Sequence, residues 1–288
     1  MGIELSLLTL SNPWGFFCID FEYRKIDLYH YFCLMVKISV VIITYNEEKN
    51  IARCIDSVAL VADEIVVVDS GSTDKTEAIC RSLGVKYIHH TFEGYGEQKN
   101  FGTSNCSFDY ILSLDADEAL SSELKESISA LKNNWDKDGY SFNRLTNYCG
   151  KWIHHCGWYP DSKFRLFKKN KAKWSESKLH EKLILNDPEN CESIKGYLLH
   201  YSYFSIEEHI KQVNKYTAIA SKDDFKDGKR SSIIMILFAP VIRFIRDYFF
   251  LLGFLDGYYG FIICRISAHA SFIKYAKLYE LQKTKNKH

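Results

Sequence analysis

The stretch VKISVVIITYNEE, residues 36–48, decides how this chain folds. Its centre, KISVVIIT, is a continuous β-branched run without polar alternation, which is what a strand buried on both faces requires. The run stops at YNEEKN, and IARCIDSV then sets Ile51, Ile55 and Val58 on one helical face. Working outward, the same unit repeats. DEIVVVD (63–69) is a second buried strand, and SGSTDKTEAICRSLG (70–84) carries Asp74 and Glu77 at capping-box spacing with Gly84 at a helix end. VKYIHH (85–90) is a weaker third strand, GEQKNFGTSNC (96–106) a helix, and DYILSLDAD (109–117) a fourth strand. Strands alternating with helices at this interval predict an α/β fold with a doubly wound, mostly parallel sheet and flanking helices.

Such sheets bind ligands beyond the carboxyl ends of their strands. The positions to inspect are therefore Thr44–Glu47, Asp69–Ser72 and Asp115–Glu118. No glycine follows the first strand, so a Rossmann G-x-G-x-x-G is excluded, and the P-loop spacing is absent too. What remains is centred on carboxylates. Asp115 and Asp117 are two apart, so in extended backbone their side chains share a side, and two hard oxygen donors suit Mg2+ or Mn2+. The bland alternative is a solvated acidic turn ahead of the helix in SSELKESISALKNN. Asp69 is placed to meet a base or ribose, or merely to cap its own loop. Thr44, Glu47, Lys99 and Asn100 lie where a diphosphate-bearing ligand could use them.

Taken together, SVVIITYNEEKNIARCIDSV, EIVVVDSGSTDKT, GEQKNFG and ILSLDADE resemble the nucleotide-binding half of family-two glycosyltransferases with the GT-A fold. The likeness continues through GWYPDSKFRLFKK, HEKL and LLHYSYFSIEEHIKQVNKYT, which are similar to bacterial transferases that add glucose to lipopolysaccharide core. The resemblance implies a UDP-sugar donor. Thr44, Tyr45 and Glu47 would line the uridine pocket, Asp69 would meet base or ribose, and Lys99, Asn100 and Ala116 would sit near the nucleotide. Asp115 would approach ribose and metal, Asp117 would ligate Mn2+ or Mg2+, and His180 would be a further metal or phosphate contact. It implies single, inverting displacement by an acceptor hydroxyl, with Glu181 as general base and Asp161 as runner-up, Arg165 meeting the diphosphate. The implied product is a hexosylated glycolipid or saccharide such as lipopolysaccharide core, or else another surface polysaccharide or lipid carrier. A non-catalytic nucleotide-sugar-binding protein is the rival from another class. A sugar-phosphate nucleotidyltransferase is disfavoured, because TYNEEKN lacks the glycine- and arginine-bearing loop that chemistry uses.

Of the 288 residues, 47% are hydrophobic and 25% charged, the balance of a packed globular chain. Net charge of +1 provides no global field for nucleic acid, so none is expected as a partner. Nine scattered cysteines, an odd number, suit a reducing compartment, and no run approaches the roughly 18 apolar residues of a membrane span. The expected location is cytoplasmic, peripheral at the inner face of the cytoplasmic membrane. Residues 1–34 read as an aromatic appendage or as sequence upstream of a true start at Met35. Residues 35–120 are then the nucleotide-binding half, 121–225 the acceptor half, and 226–288 an amphipathic, aromatic helical tail. In the tail, FAPVIRFIRDYFFLLGF puts Phe238, Val241, Ile242, Ile245, Phe249 and Leu252 near one face, with Arg243 and Arg246 outside it. That stripe suits either a membrane surface or a core or dimer contact. Cys149, His154, His155 and Cys156 raise structural zinc, but the wide cysteine spacing and the adjacent histidines favour packing.

Overall fold

A computed structural model describes residues 35–175 and 181–285. The expectations for residues 1–34, and for His180, lie outside the described residues. From Val36 onward the chain forms one compact unit.

Strand β1 (Ile38–Thr44) is buried at all seven positions, as its unbroken apolar run requires. It lies between β2 (Glu64–Asp69) and β4 (Tyr110–Asp115), parallel to both, and β3 (Lys86–His89) adds the parallel edge. Helix α1 (Ile51–Val58) buries Ile51, Cys54, Ile55 and Val58 against this sheet. Helices α2 (Thr76–Ser82) and α3 (Tyr95–Ser104) complete the winding. The capping box expected from Asp74 and Glu77 does not form. Asp74 Oδ1 instead accepts the Thr76 N–H at 2.9 Å, and Oδ2 accepts that of Glu48 at 3.0 Å, so one side chain closes a turn and ties two loops together. Helix α3 approaches the sheet closely through Gly102, where a Cβ would stand 2.4 Å from Val41 Cγ1.

Beyond β4 the sheet becomes mixed. After β5 (Glu118–Leu120) and α4 (Ser122–Leu131, capped by Ser121), the chain adds β6 (Gly139–Tyr148), β7 (Lys151–Ile153), β8 (Ser162–Lys168) and β11 (Cys191–Tyr203). The sheet order is β3-β2-β1-β4-β8-β6-β11-β5, with β7 on β6. Strand β8 runs antiparallel to both β4 and β6, while β11 is parallel to β6 and antiparallel to β5. Strands β9 (Ala172–Trp174) and β10 (Leu183–Leu185) form a separate hairpin.

The C-terminal region is helical. Helix α5 (Ile206–Lys226) starts with Ser205 Oγ accepting the Glu208 N–H, while Glu208 Oε2 accepts that of Phe204. Helix α6 (Ile233–Ile245) passes into a π-helical turn, Arg246–Phe250, and a 3-10 turn, Gly253–Asp256, before α7 (Gly257–Lys285) packs back on α5 and α6. No helix among the described residues is long and apolar enough to cross a membrane.

Candidate active site

Strand register brings the inspected carboxyl ends level. Thr44 is opposite Asp69, and Ile43 is opposite Asp115. The first two loops are stitched together. The Asn46 N–H donates to Ser72 Oγ at 2.8 Å, Asn46 Oδ1 accepts the Thr73 N–H at 2.8 Å, and the Glu47 N–H donates to Thr76 Oγ1 at 2.9 Å. Asn46 holds this link from the left-handed region, at φ 54°. Tyr45 is more than half exposed, while Thr44 Oγ1 is buried without a hydrogen-bond partner beside it. Asp69 is buried, and its Oδ2 accepts the N–H groups of Gly71 and Ser72, both at 2.8 Å, so its carboxylate shapes its own loop. Glu47 is half-buried and bonded by Asn50. Burial, with Asp117 and Asp74 nearby, pushes its carboxyl up to about 7.

Asp115 and Asp117 do not share partners. Strand β4 ends at Asp115, and Ala116 and Asp117 form a turn, so the alternation expected of extended chain stops there. Ala116 is buried, with its N–H on the Ile43 carbonyl at 3.1 Å. Asp115 lies 3.0 Å from Lys99 Nζ and 2.9 Å from Arg165 Nη2. Burial works against its charge, yet these two cations hold its carboxyl well below the usual carboxylate range.

The contacts extend into a string of alternating charge. Lys99, whose side chain is fully buried, also lies 3.0 Å from Glu181 Oε1. Arg165 reaches buried Glu118 at 3.2 Å, Glu118 is 3.7 Å from Arg144, and Arg144 meets Asp161 at 2.8 Å, with Lys163 2.8 Å beyond. Trp174 packs beside two of the cations, its ring centre 4.5 Å from Lys99 Nζ and 5.3 Å from the Arg165 guanidinium. Both candidate bases therefore sit on one electrostatic chain, Glu181 beside Asp115 and Asp161 farther along. Asn100 turns elsewhere, since its amide exchanges two 3.0 Å bonds with the Trp174 backbone and so anchors β9.

Asp117 faces a residue to which the motifs assigned no role. Its Oδ2 is 3.1 Å from Nε2 of His200, whose Nδ1 is 2.8 Å from Ser202 Oγ. The partner comes from 83 residues away because β11 pairs antiparallel with β5, setting His200 opposite Glu118, while the Tyr201 N–H donates to the Asp117 carbonyl at 2.9 Å. The only signal was HYS within LLHYSYFS. Beside this pair opens a cleft of about 340 Å3 lined by Glu47, Glu48, Asp74, Asp117 and Glu208, among others, with Lys49 as its one lysine. A carboxylate and an imidazole beside such a cleft are suitable donors for a divalent cation.

Among the described residues no group of three or more His, Cys, Asp or Glu is arranged to hold a metal unaided. The four residues considered for zinc are employed otherwise: Cys156 is buried with Tyr148, Ile153, Ile263 and Cys264, Cys149 packs against that cluster, His155 Nδ1 is 3.2 Å from Asp256 Oδ1, and His154 lies edge-on to Tyr159. Arg243 and Arg246, expected outside the apolar stripe, both turn onto buried Asp247.

The glycosyl transferase family 2 model matches residues 39–180. An uncharacterized glycosyltransferase of Rickettsia bellii is 37% identical over 262 residues, 86% of this chain and 88% of that protein. The lipopolysaccharide core biosynthesis glycosyltransferase LpsC of Rhizobium meliloti is 32% identical over 257 residues, 84% of this chain and 92% of its own length. Among solved structures, residues 1–349 of S. aureus TarS in complex with UDP align with 86% of this chain and 92% of that chain, at 15% identity and a TM-score of 0.42. With relatives of this identity matched over nearly their full length, and a mixed sheet whose parallel strands end at the carboxylates, the chain belongs to glycosyl transferase family 2 and is a glycosyltransferase of GT-A fold.

Proposed function

We propose that this enzyme transfers a hexose, glucose being the leading choice, from a UDP-sugar to a hydroxyl of a glycolipid or saccharide of the lipopolysaccharide-core type, with inversion and with Mn2+ or Mg2+. The observation carrying the reading is the Asp117–His200 pair, 3.1 Å apart, beside a cleft whose charged lining is carboxylate except for Lys49. An anionic diphosphate is repelled by such a lining unless a divalent cation lies between. Asp117 and His200 would hold that ion, which supplies Lewis-acid stabilisation of the departing UDP. His180 remains a candidate contact outside the described residues.

The chain's own groups divide the remaining work. Thr44, Tyr45, Glu47 and Asp69 form the uridine side, with Asp69 acting through the loop it closes. Lys99 and Arg165 pair with Asp115, which keeps it oriented near the nucleotide beside buried Ala116. Asn100 contributes by fixing the β9 backbone at Trp174. Glu181 is the preferred base because it shares Lys99 with Asp115, whereas Asp161 is engaged by Arg144 and Lys163. The similarity to LpsC supports the core-type acceptor, and the free cysteines among the described residues suit the cytoplasmic side of the membrane.

Calorimetric UDP binding tests this reading, with and without Mn2+, for the wild type and Asp117→Asn. Binding that needs Mn2+ and is lost in the variant is expected. Tight UDP binding indifferent to both overturns the metal assignment, and no UDP binding at all overturns the donor.

A further inference from the structure

Helix α6 has no buried residue, although it is almost wholly apolar. Ile234, Leu237, Phe238, Val241, Ile242 and Ile245 follow one another at three- and four-residue steps, so they form a single stripe, and each is more than 40% exposed. The stripe continues into the following turns through Phe249, Phe250, Leu255 and Tyr258, all more than half exposed. The other side of α6 is already occupied, with Phe244 stacked on Tyr248, edge-on to Phe261, and covered by the Arg265 guanidinium at 5.6 Å. An apolar surface this extensive and continuous is uncommon on a solitary globular chain and marks a docking face.

Charge identifies the occupant. Residues 226–288 carry eleven Lys and Arg against four Asp and Glu, a net of +7, which leaves −6 for residues 1–225. Two of those four acids, Asp247 and Asp256, are buried, Asp247 against Arg243 and Arg246, and that pairing leaves the tail's net positive charge unchanged. Two such tails brought face to face would repel, whereas an anionic bilayer attracts either one. Thirteen residues of helix reach only about 20 Å, too short to span, which leaves the plane of the interface.

We propose that α6 and the turns through Tyr258 dock this chain on an anionic lipid bilayer, the stripe sinking into the headgroup–acyl boundary with the basic tail residues over the headgroups. The docking turn is joined to the acceptor half. The Leu251 carbonyl accepts the Cys156 N–H at 3.0 Å, Asp256 Oδ2 accepts that of His155 at 2.8 Å, and Lys151 Nζ donates to the Asp256 carbonyl. The segment so anchored leads directly to Asp161, so a lipid-borne acceptor rising from the bilayer emerges on the acceptor side. Docking itself needs neither donor nor turnover, so it stands or falls apart from the donor assignment.

The test is flotation of the full chain with vesicles of pure phosphatidylcholine and of phosphatidylcholine mixed with phosphatidylglycerol. The wild type is expected to bind the mixed vesicles far better, and Ile242→Asp/Phe250→Asp/Leu255→Asp to weaken that binding by roughly 100-fold or more. These side chains are exposed, and an unchanged thermal melt shows that the variant is folded. Flotation of the wild type at about 1 M salt, should the triple variant melt early, is expected to weaken binding to the mixed vesicles alone. Failure to bind either vesicle overturns the proposal, as does binding that the folded triple variant retains. A dimer seen by light scattering, dissolved by the triple variant and without vesicle binding, assigns the face to a second copy instead.

Discussion

His200 Nε2 lies 3.1 Å from Asp117 Oδ2, although 83 residues separate them. The antiparallel pairing of β11 with β5 places an imidazole nitrogen next to the one carboxylate of the acidic turn that no lysine or arginine engages at close range. Removal of His200 as Ala is expected to weaken Mn2+-dependent UDP binding by at least about 10- to 100-fold, the scale of losing even an outer partner of a metal site. Calorimetry over a Mn2+ titration measures it, and unchanged metal dependence refutes the pairing as a metal site.

Glu181 and Asp161 are separable by isosteric change. Glu181→Gln keeps a carbonyl oxygen for Lys99 and is expected to lower kcat by about 10²–10⁴-fold with UDP affinity retained. Asp161→Asn is expected to cost much less. Steady-state kinetics with a competent acceptor decides, and the reverse order would transfer the base to Asp161.

Lys99 is a buried cation between two carboxylates. Lys99→Met leaves Glu181 without this cation and Asp115 with Arg165 alone, and is expected to cost about 3–5 kcal/mol of stability. Urea unfolding measures this. A loss below about 1 kcal/mol would show that Arg165 alone suffices for Asp115.

Gly196 and Gly228 both have positive φ, at 99° and 80°, but differ in surroundings. A Cβ on Gly196 would stand 2.3 Å from the Leu124 nitrogen in the first turn of α4, whereas one on Gly228 meets open space. Gly228→Ala is expected to cost about 1 kcal/mol from backbone strain alone, and Gly196→Ala about 3 kcal/mol or more, because α4 must move as well. Equal midpoints in denaturant titrations would contradict this.

His209 is buried with its Nδ1 3.0 Å from Tyr148 Oη, and burial pushes its imidazole down to about 4. The unfolded chain therefore takes up a proton that the folded chain refuses. Stability from this group is complete above pH 6.5 and falls as pH drops towards 4, by up to roughly 3 kcal/mol. Urea titrations at about pH 7.5 and about pH 5 measure the fall, and His209→Gln is expected to flatten it relative to wild type. An equal slope in the variant would assign the acid sensitivity to carboxylates.

The winding of the first four strands was legible because their cores, such as Val40–Ile43 and Val66–Val68, are apolar without interruption, and that pattern depends only on burial of both faces. The acidic turn could be located but not interpreted. Nothing in ILSLDADE says that β4 stops at Asp115 and sends its two aspartates to different partners.

What the sequence determined by itself was a parallel α/β half, its family resemblance and the carboxylates at its strand ends, all features carried by neighbours within about ten residues. Tertiary structure alone decided which cations meet those carboxylates. The alternating string from Glu181 to Lys163 draws on α3, β4, β5, β6 and β8, and His200 arrives on β11. Charges act across a few ångströms of space whatever their separation along the chain, so only strand order and register could bring these groups together.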